Sequence, residues 1–161
     1  FSIAAVLEYQ YGRGELRLRS ADPFDAPIVD NRFCEDNRDT RRLVACMKDT
    51  LMFTRKGALK EMIKSITFPD PARGIDDESL SKLCRRFSAS GYHPCGTVKM
   101  GDVKDPMSVV DQYGRAHRFD HLVVADASIM PFVPRANTNL TCIMIGEMIG
   151  EWLRTQPEHY R

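Results

Sequence analysis

Two segments constrain this chain more than any other feature. Tyr92–Gly101, reading Tyr-His-Pro-Cys-Gly-Thr-Val-Lys-Met-Gly, sets an imidazole in a loop punctuated by Pro94 and Gly96. The residue before a proline is pushed out of helical geometry, so His93 has to sit in irregular or extended backbone. Asn137–Glu147, reading Asn-Thr-Asn-Leu-Thr-Cys-Ile-Met-Ile-Gly-Glu, places carboxamides at the head of an apolar helix. Brought together, an imidazole and a carboxamide serve a small polar substrate as base and hydrogen-bond partner. Taken singly, each has a plainer use: a His in a Gly/Pro loop braces that loop, and an Asn before an apolar run caps the helix.

The joint pattern resembles the C-terminal signature of the glucose-methanol-choline (GMC) flavin oxidoreductases, in particular choline dehydrogenase-like members. They carry a His-Pro-x-x-Thr-x-Lys-Met-Gly segment before a flavin-proximal strand, and an Asn-containing helix start. Gly14–Asn31 is similar to the strand and turn opening their substrate-binding part. Asp105–Pro131, with Val109-Val110-Asp111, Gly114-Arg115 and Val123-Val124-Ala125-Asp126-Ala127-Ser128-Ile129-Met130-Pro131, is similar to their closing sheet and flavin-contacting strand.

The resemblance implies an α+β fold: an antiparallel substrate-domain sheet with helices, plus the last strand and helix of an α/β FAD-binding domain. Residues 1–100 would be the substrate-binding portion, and 101–161 would supply the closing strands and C-terminal helix. It also implies FAD as cofactor and oxidation of an alcohol CH–OH to a carbonyl, with hydride passing to flavin N5. His93 matches the family's catalytic base, a role suited to a neutral imidazole. Asn139 matches the position of a second His or an Asn, which hydrogen-bonds the substrate oxygen. Asp126 and Ala127 match the flavin-contacting turn; a turn residue ending a strand is the plainer reading of Asp126. Asn137 and Thr138 match the segment beside the pyrimidine side of the isoalloxazine, where a helix N-terminus favours the negative charge of reduced flavin.

The sequence contains no Gly-x-Gly-x-x-Gly turn, the device that lets a helix N-terminus approach a dinucleotide pyrophosphate. Together with a start at Phe1 inside what reads as a strand, this gives the expectation of a C-terminal part of a longer flavoenzyme. Its partners are then a small alcohol and the N-terminal FAD-binding part of the same enzyme.

Twenty-three Lys and Arg against 22 Asp and Glu leave a formal charge of +1 over 161 residues, without the basic field that nucleic acid or an anionic membrane demands. The five cysteines show no Cys-x-x-Cys spacing, which fits reduced thiols in a cytoplasmic setting better than a disulfide framework. The first residues have neither a basic region nor a long apolar core, so they do not read as a signal peptide. Glu147 and Glu151 break the C-terminal apolar run, so no membrane span is expected.

Periodicity predicts strands at Ala4–Tyr9 and Glu15–Arg19 around a Tyr11–Gly14 turn, the second alternating with one buried face. A helix after Asp36–Asp39 presents Leu43, Cys46, Met47, Thr50 and Leu51 as its apolar stripe. A short helix follows Gly57, and a further one, opened by Asp76, Asp77 and Glu78, packs Leu80, Leu83, Cys84 and Phe87 while Lys82, Arg85 and Arg86 face solvent. Val109–Asp111 and Ala116–Arg118 read as strands about a turn, Leu122–Ala125 as a strand buried on both faces, and Thr138–Leu153 as the last helix, closed by Pro157.

Three other readings remain open. His117 and His121 have the spacing of two zinc ligands on a helix, but fall in a strand-turn region without Cys or Glu partners. Joined by His93, they would make a metal-dependent hydrolase. Cys95 beside His93 suggests a thiolate-imidazole pair. Finally, the chain is a non-catalytic scaffold or interaction module that keeps the fold without cofactor.

Overall fold

A computed structural model describes residues 1–160, apart from the Arg73 side chain. The chain divides into two compact units, residues 1–89 and the portion from Ser90 onward.

In the first unit, β1 (Glu15–Arg17) pairs antiparallel with β2 (Ile28–Asp30), Leu16 facing Val29. β1 is shorter than the alternation predicts, β2 lies where periodicity predicts no strand, and Ala4–Tyr9 forms none. The expected buried face is also missing: Leu16 is 52% and Leu18 85% exposed. A two-stranded ribbon has nothing to bury its apolar side chains against unless another layer covers it, and β2 is exposed throughout.

Helix α1 (Asn37–Phe53) starts where Asp36 accepts the Arg38 backbone N–H, so the capping carboxylate answers one of the unpaired N–H groups of the first turn. Helix α1 ends at Thr54, whose N–H turns back to the Thr50 and Met52 carbonyls, and the short helix α2 (Gly57–Met62) opens on Gly57 at a φ of 54°, a left-handed conformation that favours glycine. Helix α3 (Asp77–Phe87) is capped by Asp76 through the Ser79 N–H. The core of this unit joins Cys34, Val44, Leu80 and Cys84, flanked by Leu43, Met47 and Leu83. Val44, outside the predicted stripe, is its most buried α1 contribution, and Phe87 instead stays exposed against Phe68. Arg85 is not simply solvated: its guanidinium donates to the Cys34 carbonyl (3.2 Å) and to Asn37 Oδ1 (2.8 Å), tying the α3 C-terminal turn to the α1 start.

The second unit contains one long helix, α4 (Asn139–Thr155), followed by a 3-10 turn at Pro157–Tyr160. The predicted strands shrink to isolated bridges, Met100 with Val110, Val110 with Ala116, and Arg115 with Val123. Leu122–Ala125 is therefore not a strand buried on both faces; Val123 and Val124 pack against the core of this unit, while Leu122 and Ala125 are exposed. The Asp111–Arg115 turn depends on Gly114, at φ 76°, where an added Cβ would stand 2.4 Å from the Val124 carbonyl oxygen. The core brings together Val110, Ile129, Met130, Ile145 and Ile149. No helix among the described residues is long and apolar enough to cross a membrane.

Candidate active site

Three segments of the second unit meet on this core. The first is the His93 loop. Ser90 Oγ accepts the Tyr92 N–H (3.0 Å), and Tyr92, next to His93, takes a positive φ of 66°, a conformation rare outside glycine. Beyond Pro94, Gly96 has φ 84°, and a Cβ there would press to 3.1 Å from the Met130 carbonyl.

The second segment runs alongside. The N–H groups of Gly96, Val98 and Met100 donate to the carbonyls of Ala127 (3.1 Å), Ser128 (3.0 Å) and Ile129 (2.8 Å). This backbone zipper fixes the exit of the His loop against the 3-10 turn Ala127–Ile129. Asp126 caps that turn, its carboxylate accepting the Ser128 N–H at 2.8 Å. The side chain of Asp126 is thus committed locally, as a turn residue's would be, and only the backbone around it and Ala127 is available for the expected cofactor contact.

The third segment is the head of α4. Its cap is Thr138, not Asn139, which is the first helical residue and is exposed, as is Asn137. Thr138 is 5% exposed and makes no side-chain capping bond. Its side chain turns instead to the imidazole: Oγ1 lies 3.0 Å from His93 Nδ1, and the Thr138 N–H points at the same nitrogen from 3.4 Å. The half-buried ring is therefore held by its Nδ1 edge. Spacing could not reveal this pairing, because it joins residues 45 apart in sequence; the one available signal was a hydroxyl residue directly before an apolar helix.

Around this site, Lys99 Nζ donates to Asp105 Oδ2 at 2.7 Å and holds that carboxyl below its usual range. Burial alone would push Asp111 up, but the Arg115 guanidinium at 2.6 Å and the N–H groups of Arg115 and Tyr113 outweigh it and leave the carboxyl lowered. His117 Nε2 is engaged with Ser108 Oγ (2.9 Å) and the Gly101 carbonyl (3.2 Å). No group of three or more His, Cys, Asp or Glu side chains suited to a metal ion forms among the described residues. Cys95 packs against the apolar core.

Comparison with known proteins identifies the family and the fold. The model of the GMC oxidoreductase C-terminal family matches residues 10–146. The oxygen-dependent choline dehydrogenase of Cronobacter sakazakii is 37% identical over 145 residues, covering 88% of this chain and 25% of that protein. The corresponding Escherichia coli K12 enzyme is 35% identical over 147 residues, with 89% and 25% covered. Among solved structures, a fungal aryl-alcohol oxidase superposes with a TM-score of 0.77 at 28% identity, over 91% of this chain and 25% of its own. Pyridoxine 4-oxidase from Mesorbium loti superposes with a TM-score of 0.81 at 24% identity, over 91% and 28%, and shares the fold. The chain spans about a quarter of the length of the curated relatives it matches. By the extent of the family match and by these likenesses, the chain belongs to the GMC oxidoreductases, of which it carries the C-terminal domain.

Proposed function

We propose that this chain is the substrate-binding, C-terminal portion of an FAD-dependent enzyme that oxidises the CH–OH group of an alcohol to a carbonyl. The observation that carries the reading is the imidazole of His93 anchored through Nδ1 on Thr138 at the head of α4, with Nε2 left for a ligand. The GMC family, and relatives named for choline and aryl-alcohol oxidation, support the reaction class.

The residues present fit a flavin. α4 begins without a side-chain cap, so its first-turn N–H groups and the positive end of its dipole remain for an anionic edge. The backbone turn at Asp126 and Ala127 lies beside it through the His-loop zipper. When bound, FAD supplies the two-electron acceptor, taking hydride at N5. His93 takes the hydroxyl proton at Nε2, a contribution of about 10²–10⁴ in rate for a positioned base. Asn139, exposed on the first turn of α4, orients the alcohol oxygen, while Asn137 and Thr138 border the flavin.

The upstream FAD-binding part of the same enzyme is the partner this reading requires. The apolar face that α4 leaves open, with Leu140 at 77% exposure and Ile143 and Met144 also exposed, favours such a contact. Five free cysteines favour a reducing, cytoplasmic setting.

The test is FAD titration into the chain alone and joined to the upstream part, followed by bleaching of the flavin with a panel of primary alcohols. Binding and bleaching in the joined form, lost in His93→Ala, are the expected result. If the joined form takes up no flavin, the oxidoreductase reading falls and a cofactor-free scaffold takes its place.

A further inference from the structure

We infer that Thr138 is a positioning residue whose hydroxyl holds His93 in its base-competent form. The inference rests on the proposed oxidation, and it assigns Thr138 a task separate from bordering the flavin.

For Nε2 to present a lone pair to an alcohol, the neutral ring must carry its proton on Nδ1. After the hydroxyl proton has moved to Nε2, both ring nitrogens are donors. An Nδ1–H is therefore present before and after the transfer, and it needs an acceptor in a half-buried position. Two groups face it. The Thr138 backbone N–H, at 3.4 Å, can only donate, so it favours the opposite tautomer, with the proton on Nε2 and no basic edge for substrate. The Thr138 hydroxyl, at 3.0 Å, is the closer group and the only one of the two that can accept, by rotating its own hydrogen away. Two further facts put the hydroxyl at the service of the ring. It makes no capping bond to its own helix, although capping is the ordinary use of a threonine at this position. The residue is also 5% exposed, so water is poorly placed to replace it as acceptor. In the proton step the alcohol O–H bond breaks and an Nε2–H bond forms, the electron pair stays on the oxygen and becomes the carbonyl π bond as hydride leaves the carbon for the flavin, and the Nδ1–H stays on Thr138 Oγ1 throughout.

The experiment uses the complete enzyme containing this chain, with wild type, Thr138→Val, Thr138→Ser and His93→Ala. Valine keeps the shape and the backbone N–H but removes the acceptor. It is expected to slow flavin reduction by roughly 10- to 100-fold, the consequence of leaving a buried donor unpaired. With rates taken per bound flavin, alcohol affinity should stay unchanged, and serine should restore most of the rate. A second readout is independent of turnover. With 15N-labelled histidine, the Nδ1–H of charged His93 gives a slowly exchanging correlation in wild type and Thr138→Ser, lost to solvent exchange in Thr138→Val. If Thr138→Val reduces flavin as fast as wild type while His93→Ala is inert, the inference is overturned and the oxidoreductase reading stands. If His93→Ala itself keeps wild-type rates, the base assignment beneath it fails. Should the valine variant not fold, the wild-type spectrum still decides: absence of a protected Nδ1–H when the ring is charged overturns the inference.

Discussion

Asp39 offers the sharpest test of how the N-terminal segment is held. It lies in the first turn of α1, is 4% exposed, and spends its carboxylate outside its own helix. Oδ1 and Oδ2 accept the Tyr11 N–H at 3.0 and 2.9 Å, Oδ2 also accepts the Gly12 N–H at 2.7 Å, and Arg42 Nη1 stands 3.6 Å from Oδ1. Residues 1–14 contain no strand or helix, so these bonds substitute for the ladder that Ala4–Tyr9 fails to make. In Asp39→Asn one oxygen still accepts, but an NH₂ now faces the other donor. One charge-assisted bond is lost, worth about 1.5–3 kcal/mol, together with the attraction of a first-turn carboxylate to the helix dipole, about 0.3–1 kcal/mol. The expected loss is about 2–4 kcal/mol. It is bounded above by the cost of peeling the segment off α1, because detached amides recover hydrogen bonds to water. Hydrogen exchange in the complete enzyme reads this directly: the Tyr11 and Gly12 amides should exchange about 30-fold faster or more, the equivalent of 2 kcal/mol at 1.36 kcal/mol per decade. Amides in the middle of α3 should keep their protection. If Tyr11 and Gly12 exchange within about twofold of wild type, the carboxylate does not hold this segment and the reasoning is wrong.

Three other outcomes follow from the same structure. Gly114→Ala forces a left-handed residue, costing about 1–3 kcal/mol, and pushes a methyl to 2.4 Å from the Val124 oxygen. Urea denaturation should show a clear drop in midpoint, and an unchanged midpoint would mean that the turn relaxes freely. Arg38 hydrogen-bonds the Asp36 cap and holds its carboxyl down at about 2. A lowered carboxylate stabilises the fold above the unfolded value, near 4, and that contribution disappears as pH falls through about 2. Arg38→Ala should therefore weaken α1 at pH 5 and match wild type below pH 2, and a pH-independent difference by circular dichroism would refute it; the exposed pair makes the effect modest. Asn139→Ala should lower the rate of flavin reduction by about 10²–10³ with FAD retained, as for loss of an oxyanion donor, whereas Asn137→Ala should weaken FAD retention. The reverse pattern would exchange the two assignments.

Helices were legible in the sequence because their signals are local. Asp36 and Asp76 announce the starts of α1 and α3, where their carboxylates accept the Arg38 and Ser79 N–H groups, and Gly57 marks the break between α1 and α2. The strands were not, because a strand is completed by a neighbour. Glu15–Arg19 alternates correctly, yet only three of its residues pair and its apolar side chains stay exposed. Leu122–Ala125 has the composition of a buried strand, but a single bridge through Val123. Likewise the stripe of α1 was displaced to include Val44, since its buried side is set by where Leu80 and Cys84 of α3 come to rest.

The site shows the same division between local and long-range information. His93 and the two asparagines stood out by residue type, but their arrangement depends on contacts that span the second unit. Ile129, at the end of the Asp126 turn, and Ile145, two turns into α4, share one apolar cluster with Val110 and Ile149. The turn, the His loop zipped to it and the helix head are therefore positioned by one packed core, whose density resists relative displacement. A hydrogen bond of 3.0 Å between a loop imidazole and a helix-cap hydroxyl tolerates little movement before it is lost. Placing both partners on elements tied to a common core holds the imidazole in register with the Thr138 hydroxyl, and the proposed proton transfer would draw on that rigidity.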